Sequence, residues 1–300
     1  MIYTLTINPS LDYVMEIEEL LVGKMNRSSH TYLLPGGKGI NVSQVLQGLG
    51  VDNVAILPVA GFIGEKLLNL LSEKEITYDA LHLSQGNTRI NVKVLSGVET
   101  ELNAAGPEIS DIEQNALIEK LEKLVDGDYL ILSGSVPSNL GGHFCANIMK
   151  RLTNKNVKIV VDTIGENLRN ALMHKPFLVK PNKEELESLF DTKADTLDDI
   201  LRLAGEMQKM GAKNVLVSQG GDGAILMTEN HRMYEMKAPK GAVVNTVGAG
   251  DSMVAGFLAG FIKTRDMEKA LKWGIAAGSA SAFSKNLATK EEIDALMEIL

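Results

Sequence analysis

Short, almost wholly apolar runs alternate along this chain with segments of helical periodicity, and no other feature limits the possible folds so strongly. IYTLTI (residues 2–7), NVAILPVA (53–60), DYLILSG (128–134), VKIVVDT (157–163) and AKNVLVSQG (212–220) are the strand-like runs. VSQVLQGL, EKLLNLLSEK and HFCANIMKRL lie between them, and the last third of the chain reads as helical. A strand that is apolar on both faces must be covered on both, and a crossover through a helix leaves neighbouring strands parallel. The alternation predicts an α/β fold, a three-layer αβα sandwich around a mostly parallel central sheet. No repeat, low-complexity tract or Pro/Ser-rich linker divides residues 1–300, which read as one domain.

Two stretches break the rhythm. Residues 12–35 and 88–104 alternate apolar and polar side chains, and the second turns near Ser96-Gly97 as a hairpin does. Strands polar on one face do not belong in a doubly covered sheet. They predict a small accessory β-sheet that flanks or covers a substrate site as a lid, as a homodimer surface, or as both.

Composition removes several functions. A formal net charge of −8 lacks the broad positive potential that binding nucleic acid or an anionic membrane requires, so neither is an expected partner. An anionic ligand must then be met by a few local Lys or Arg side chains and by backbone N–H groups. Aromatic residues make up 5% of the chain while glycines number 28, which favours tight turns over stacking platforms. Cys145 is the one cysteine, so no intrachain disulfide can form. MIYTLTINPS lacks the basic start and apolar run of a signal peptide, and MVAGFLAGFI is about half the ~20 residues of a membrane helix. A cytoplasmic location is expected.

The most specific segment is NTVGAGDSMVAGF (245–257). Gly248 and Gly250 allow a tight turn and leave backbone N–H groups bare at the head of a helix, whose dipole adds to an anion cradle. Asp251 follows directly, where a carboxylate can face a hydroxyl. In-line phosphoryl transfer needs both elements, one group to deprotonate the nucleophile and donors for the charge on the migrating group. The same turn would serve as a plain helix cap, with Asp251 bonding its own N-terminus. The transfer reading therefore requires the Asp251 side chain to face a nucleotide-sized hollow and not to be buried. Other glycine-loop chemistries fail on residue identity: Gly37-Lys38 is followed by Gly39 where a Walker loop needs Ser or Thr, and Met253 stands where a dinucleotide loop needs Gly or Ala.

Three further segments suit ligands. In PGGKGINVSQVL (35–46), Gly36, Gly37 and Gly39 expose backbone, Lys38 supplies a cation and Asn41 an amide, although a glycine turn with a solvated Lys is equally simple. In VKPNKEEL (179–186), Asn182 and Glu185 share a helix face and form a capping-box pattern; the same pair can hold hydrated Mg²⁺. In VSQGGDGA (217–224), a strand ends at Ser218 before Gly220, Gly221 and Gly223, either a nucleotide-docking loop or a hairpin turn. Asp12, after the first strand, can accept from sugar hydroxyls, and Arg89 can grip a phosphate. Either is also an ordinary surface charge.

Together and in this order, NPSLD, PGGKGINVSQVL, TRINVK, ETELNAAGPEIS, SGSVP, VVDT, KPNKEEL, VSQGGDGA and NTVGAGDSMVAGF closely resemble the PfkB/ribokinase family of sugar kinases over essentially the whole chain. The resemblance implies a ribokinase-like fold, ATP and Mg²⁺ as cofactors, and a small-molecule sugar phosphate as acceptor. It is nearest to members that phosphorylate fructose 1-phosphate to fructose 1,6-bisphosphate, with tagatose 6-phosphate and fructose 6-phosphate as alternative acceptors. It makes Asp251 the catalytic base and Gly248, Ala249 and Gly250 the anion hole. Asp12, Gly37, Asn41 and Ser135 would hold the sugar, and Lys38 and Arg89, assisted by Arg27, its phosphate. Lys180, Asn182, Glu185, Ser218, Gly220, Gly221 and Gly223 would serve ATP and, for Asn182 and Glu185, Mg²⁺ through water. Asn245 departs from the Asp common in the family and is given no role. A non-catalytic sugar-phosphate-binding regulator that kept the fold is the alternative of a different class.

Overall fold

The apolar runs become strands whose alternate side chains enter two different cores. The computed structural model describes the backbone of residues 1–300 and every side chain except those of Val98 and Glu99. Its strands are β1 (Ile2–Thr6), β2 (Ser10–Glu16), β3 (His30–Gly36), β4 (Asn53–Val59), β5 (Tyr78–His82), β6 (Arg89–Ser96) and β7 (Val98–Asn103). They continue as β8 (Tyr129–Ser133), β9 (Lys158–Asp162), β10 (Leu178–Val179), β11 (Asn214–Ser218), β12 (Ala224–Met227) and β13 (Met233–Met236). The helices are α1 (Lys38–Gly48), α2 (Gly61–Glu73), α3 (Asp111–Leu121), α4 (Phe144–Arg151) and α5 (Gly165–Leu172). Then come α6 (Lys183–Phe190), α7 (Leu197–Met210), α8 (Ala249–Thr264), α9 (Met267–Phe283) and α10 (Lys290–Ile299).

The main sheet has the order β13-β12-β11-β10-β9-β8-β1-β4-β5, parallel from β5 to β11, with β12 and β13 antiparallel at one edge. Along β8 the faces separate: Leu130 and Leu132 cluster with Leu117 of α3 and Ile148 of α4, whereas Tyr129 and Ile131 cluster with Val45 of α1, Phe257 of α8 and Ile275 of α9. That is the αβα sandwich the alternation implied. Truncating one of these side chains, such as fully buried Leu132 to Ala, would cost about 2–5 kcal/mol. Helix ends are set locally as well. Ser110–Glu113, Asn182–Glu185, Thr196–Asp199 and Thr289–Glu292 all form reciprocal capping boxes, and α7 buries Ile200, Leu203, Ala204 and Met207 on one stripe.

The alternating segments form a separate sheet in the order β3-β2-β6-β7. Its register lines up Leu34, Asp12, Asn91 and Asn103 in one row and Leu33, Tyr13, Val92 and Leu102 in the next. Successive rows face opposite sides. Asp12, Asn91 and Asn103 line the large cavity of the molecule, so the Tyr13–Leu102 row faces away from it. Among the described residues, no helix is long and apolar enough to cross a membrane.

Candidate active site

After β1 the chain lays β4 and β5 on one side, and later β8 to β13 on the other, so the direction of winding reverses between β1 and β8. Ligands of open α/β sheets bind at the carboxyl ends of the strands flanking such a reversal. Here that edge, with the inner face of the small sheet, borders a cavity of about 1160 Å³. This exceeds the roughly 300–1,000 Å³ of one small-molecule site and leaves space for two ligands side by side.

Asp251 is the third residue of α8. The residue just before the helix, Gly248, has a φ of 77° that favours glycine, and an added Cβ there would stand 2.5 Å from Leu287 Cδ2. No side chain caps the helix, so Asp251 is not spent on its own N-terminus. Its Oδ2 accepts instead from Asn41 Nδ2 at 2.8 Å, a bond delivered by α1. α1 in turn starts at Gly37, with φ 121° and no space for a Cβ beside Thr6 Cγ2. Asp251 borders the cavity but is only 5% exposed, so the expectation of an unburied carboxylate is corrected: it is a buried carboxylate in the cavity wall. Burial first, then the Asp162 carboxylate, pushes its pKa up to about 6, against the pull of Lys38, the Asn41 bond and Lys180.

The first-turn amides of α8 are ready for an anion. Among the described residues, the N–H groups of Gly250 and Asp251 have no intrachain acceptor recorded, while that of Ala249 donates to Thr246 O at 3.3 Å. Lys180 Nζ lies 3.3 Å from the place a Cβ on Gly250 would take, so a buried cation sits against the same turn. Lys180 and Lys38 both reach Asp162 Oδ1, at 3.5 and 3.2 Å, and Lys38 also approaches Glu185 Oε1 at 3.9 Å. Burial opposes the Lys38 charge, yet Asp162, Asp251 and Glu185 together hold its pKa above the ordinary value. Asp162 Oδ2 is buried with no partner among the described residues, which costs about 1–3 kcal/mol, while its Oδ1 pairs both lysines.

Across the cavity, Asp12 Oδ1 accepts from Ser10 Oγ at 2.6 Å and Asn91 Nδ2 at 3.3 Å, and its Oδ2 meets Lys93 Nζ at 3.3 Å. Arg89 donates through Nε to Asn8 O and through Nη1 to Asn91 Oδ1 and Ala104 O, at 3.1, 3.2 and 3.1 Å. These bonds fix the guanidinium on the cavity wall, and among the described residues Nη2 has no hydrogen-bond acceptor and is left for a ligand. Asn182 and Glu185 exchange capping bonds, Glu185 N to Asn182 Oδ1 at 2.6 Å and Asn182 N to Glu185 Oε2 at 2.9 Å, so Glu185 Oε1 is free of the cap and faces Lys38 at 3.9 Å. Ser218 closes β11, and Gly220, Gly221 and Gly223 turn the chain into antiparallel β12 along the cavity, so hairpin and ligand loop are one structure.

Gly37, Lys38, Asn41, Arg89, Ser135, Lys180 and the 218–223 and 248–251 segments all border this one cavity. Arg27 does not; it is exposed on the segment between β2 and β3, with Met25 Sδ as its contact at 3.8 Å. Asp162, Asn91, Lys93 and Glu101 were not singled out from the sequence. Arg89, Asn91 and Lys93 in TRINVK recur at every second position, the signature of one strand face, and would have been found that way.

A base-like carboxylate, an amide cradle with a lysine, and a polar wall for a hydroxylated anion, all on the switch edge of a parallel sheet, define an α/β phosphotransferase. Comparison with known proteins takes the assignment further. The model of the pfkB family carbohydrate kinases matches residues 6–294. The 1-phosphofructokinase of Bacillus subtilis (strain 168) is 43% identical over 297 residues, covering 99% of this chain and 97% of that protein. The D-tagatose-1-phosphate kinase of Bacillus licheniformis is 35% identical over 295 residues, 98% of this chain and 96% of that one. The crystal structure of phosphofructokinase-2 from Escherichia coli in complex with fructose-6-phosphate superimposes with a TM-score of 0.94 at 29% identity, over 100% of this chain and 98% of that chain. The chain belongs to the pfkB family of carbohydrate kinases. It is a sugar-phosphate kinase, which sets aside a non-catalytic regulator.

Proposed function

We propose that this kinase transfers the γ-phosphoryl group of ATP to the 6-hydroxyl of fructose 1-phosphate, giving fructose 1,6-bisphosphate, with Asp251 as general base. The observation that carries the reading is the adjacency of Asp251, with its raised pKa, to the bare amides of Gly250 and Asp251 itself and to Lys180. A base with a pKa near 6 is ionised at neutral pH yet basic enough to take a proton as the hydroxyl attacks. Asn41 orients it. Asp12, Asn41, Gly37 and Ser135 hold the sugar, and Arg89 holds the phosphate remote from the reacting hydroxyl. Lys38, expected beside Arg89, meets Asp162 and Glu185 together with Lys180 and serves the migrating group instead. The cradle at Gly248, Gly250 and Asp251 and the Lys180 ammonium receive the charge of the migrating group.

ATP supplies that group, and Mg²⁺ neutralises its oxygens. The residues present fit a metal carried in on the triphosphate: Asn182 and Glu185 line the cavity, with Glu185 Oε1 outside the capping bonds as a hard oxygen donor for its waters. Glu185 Oε1 and the Asn182 side chain would meet its waters, and the Ser218–Gly223 turn would border the nucleotide. The small sheet serves as lid and as homodimer surface. Its outward row is apolar, with Leu102 61% exposed, and the neighbouring segment presents Val22 at 93% and Met25 at 81%.

The higher identity to the B. subtilis 1-phosphofructokinase than to the tagatose-1-phosphate kinase supports fructose 1-phosphate as the acceptor. A side-by-side kcat/KM comparison of fructose 1-phosphate, tagatose 1-phosphate, tagatose 6-phosphate and fructose 6-phosphate tests it. Fructose 1-phosphate should give the highest value. A higher value with another acceptor, or equal rates with unphosphorylated fructose, would reject the assignment.

A further inference from the structure

Two cations stand beside Asp251, yet neither is paired with it. Lys38 on α1 and Lys180 just beyond β10 both favour its ionised form, but among the described residues no salt bridge reaches Asp251. Both ammonium groups meet one oxygen of Asp162 instead, at 3.2 and 3.5 Å. Asp162 closes β9 at 1% exposure, and β9 is pinned between β8 and β10, so this carboxylate has little freedom to move.

We propose that Asp162 is a positioning residue that diverts Lys38 and Lys180 from the catalytic base, leaving the two cations for the phosphoryl group and Asp251 for the hydroxyl. An ammonium bonded to Asp251 would lower its basicity by about 1–3 pH units and fill the space the attacking hydroxyl must enter. General-base power falls with basicity. Asp162 supplies a competing carboxylate at the point where α1 and the end of β10 converge. Lys180 thereby stays 3.3 Å from the Cβ position of Gly250 in the α8 turn, and Asp251 keeps the uncharged Asn41 as its hydrogen-bond partner. The charged groups acting on Asp251 are Asp162 from β9, Lys38 from α1 and Lys180 from the segment after β10, with Glu185 of α6 reaching Lys38. The inference rests on Asp251 being the base.

The test follows the titration of the Asp251 carboxyl by ¹³C NMR in the free enzyme, with the pH profile of kcat/KM for fructose 1-phosphate, in the parent, Asp162→Asn and Lys38→Met. Asp162→Asn removes a carboxylate that repels the Asp251 charge and also releases both lysines, so the midpoint should fall by about 1–3 pH units and kcat/KM at neutral pH about tenfold or more. The fall should be smaller in Asp162→Asn/Lys38→Met, where one released cation is missing; an equal fall there would mean that charge loss alone acts and would overturn the proposal. Lys38→Met removes a cation that favours ionisation, so its midpoint should rise. A site that merely loosened would admit water and lower both. Midpoints that move in the same direction, or stay still, overturn the proposal. If Asp162→Asn does not fold, a crystal structure of the parent decides: ammonium groups of Lys38 and Lys180 on Asp162 support the proposal, and either one within hydrogen-bond distance of Asp251 overturns it. Near-parent turnover in Asp251→Asn would be a different failure, that of the base on which the inference stands.

Discussion

Asn41 Nδ2 donates to Asp251 Oδ2 at 2.8 Å, joining two helices 210 residues apart in sequence. The bond ties the first glycine-rich segment to the second and gives the base a fixed direction without neutralising it. It also favours the ionised carboxylate.

Asn41→Ala should therefore raise the pKa of Asp251 above its present value of about 6. The sign is set by which form the bond stabilises: removing a donor to the carboxylate favours the protonated acid. The acid limb of kcat/KM should move to higher pH by up to about one unit, so activity near pH 6.5 falls more than activity at pH 8. A limb that moves to lower pH would contradict the arrangement.

Burial that makes Asp251 a better base also makes it a cost to folding. Its ordinary pKa of 3.8 rises to about 6 in the folded chain. Below 3.8 it is neutral in both states; stability declines as pH rises through the window between, and the full penalty applies above about 6. Asp251→Asn, whose amide oxygen can still accept from Asn41, should be more stable than the parent at pH 7 by on the order of 1–3 kcal/mol. The gain should vanish near pH 4. Thermal unfolding at the two pH values checks it.

Arg89 is held by three acceptors on the cavity wall before any ligand arrives. Such pre-orientation directs its loss into binding more than chemistry. Arg89→Ala should raise KM for fructose 1-phosphate about 10- to 100-fold, the worth of a charge-assisted hydrogen bond, with a smaller change in kcat. Steady-state kinetics with the sugar phosphate varied decides the split.

Much of this was legible in the residues, and the physical reason is locality. Apolar alternation fixed the sandwich, because strand and helix periods are properties of neighbouring residues. The capping box at Asn182–Glu185 was equally local. The site's acids and bases were less accessible. Asp162 ends an ordinary apolar strand, VKIVVDT, and acquires its meaning only when α1 and the end of β10 bring Lys38 and Lys180 to it. Lys93, pinned between Asp12 and Glu101, depends likewise on pairing between three strands. The burial of Asp251 is a tertiary property that the GAGD turn does not encode.

The outward row Leu33, Tyr13, Val92 and Leu102 is the proposed homodimer surface. In a two-fold interface each substitution occurs twice. Leu102→Asp should convert a dimer to a monomer in sedimentation velocity, while a parent that is monomeric at micromolar concentration would remove the surface from consideration.

In the proposed reaction the carboxylate at the head of α8 takes the proton from the acceptor hydroxyl. Single-turnover formation of ADP by Asp251→Asn, with ATP, Mg²⁺ and fructose 1-phosphate all saturating, addresses it most directly. The expected result is a rate about 10²–10⁴-fold below the parent with substrate affinities little changed. A rate within a few-fold of the parent would show that another group does the work.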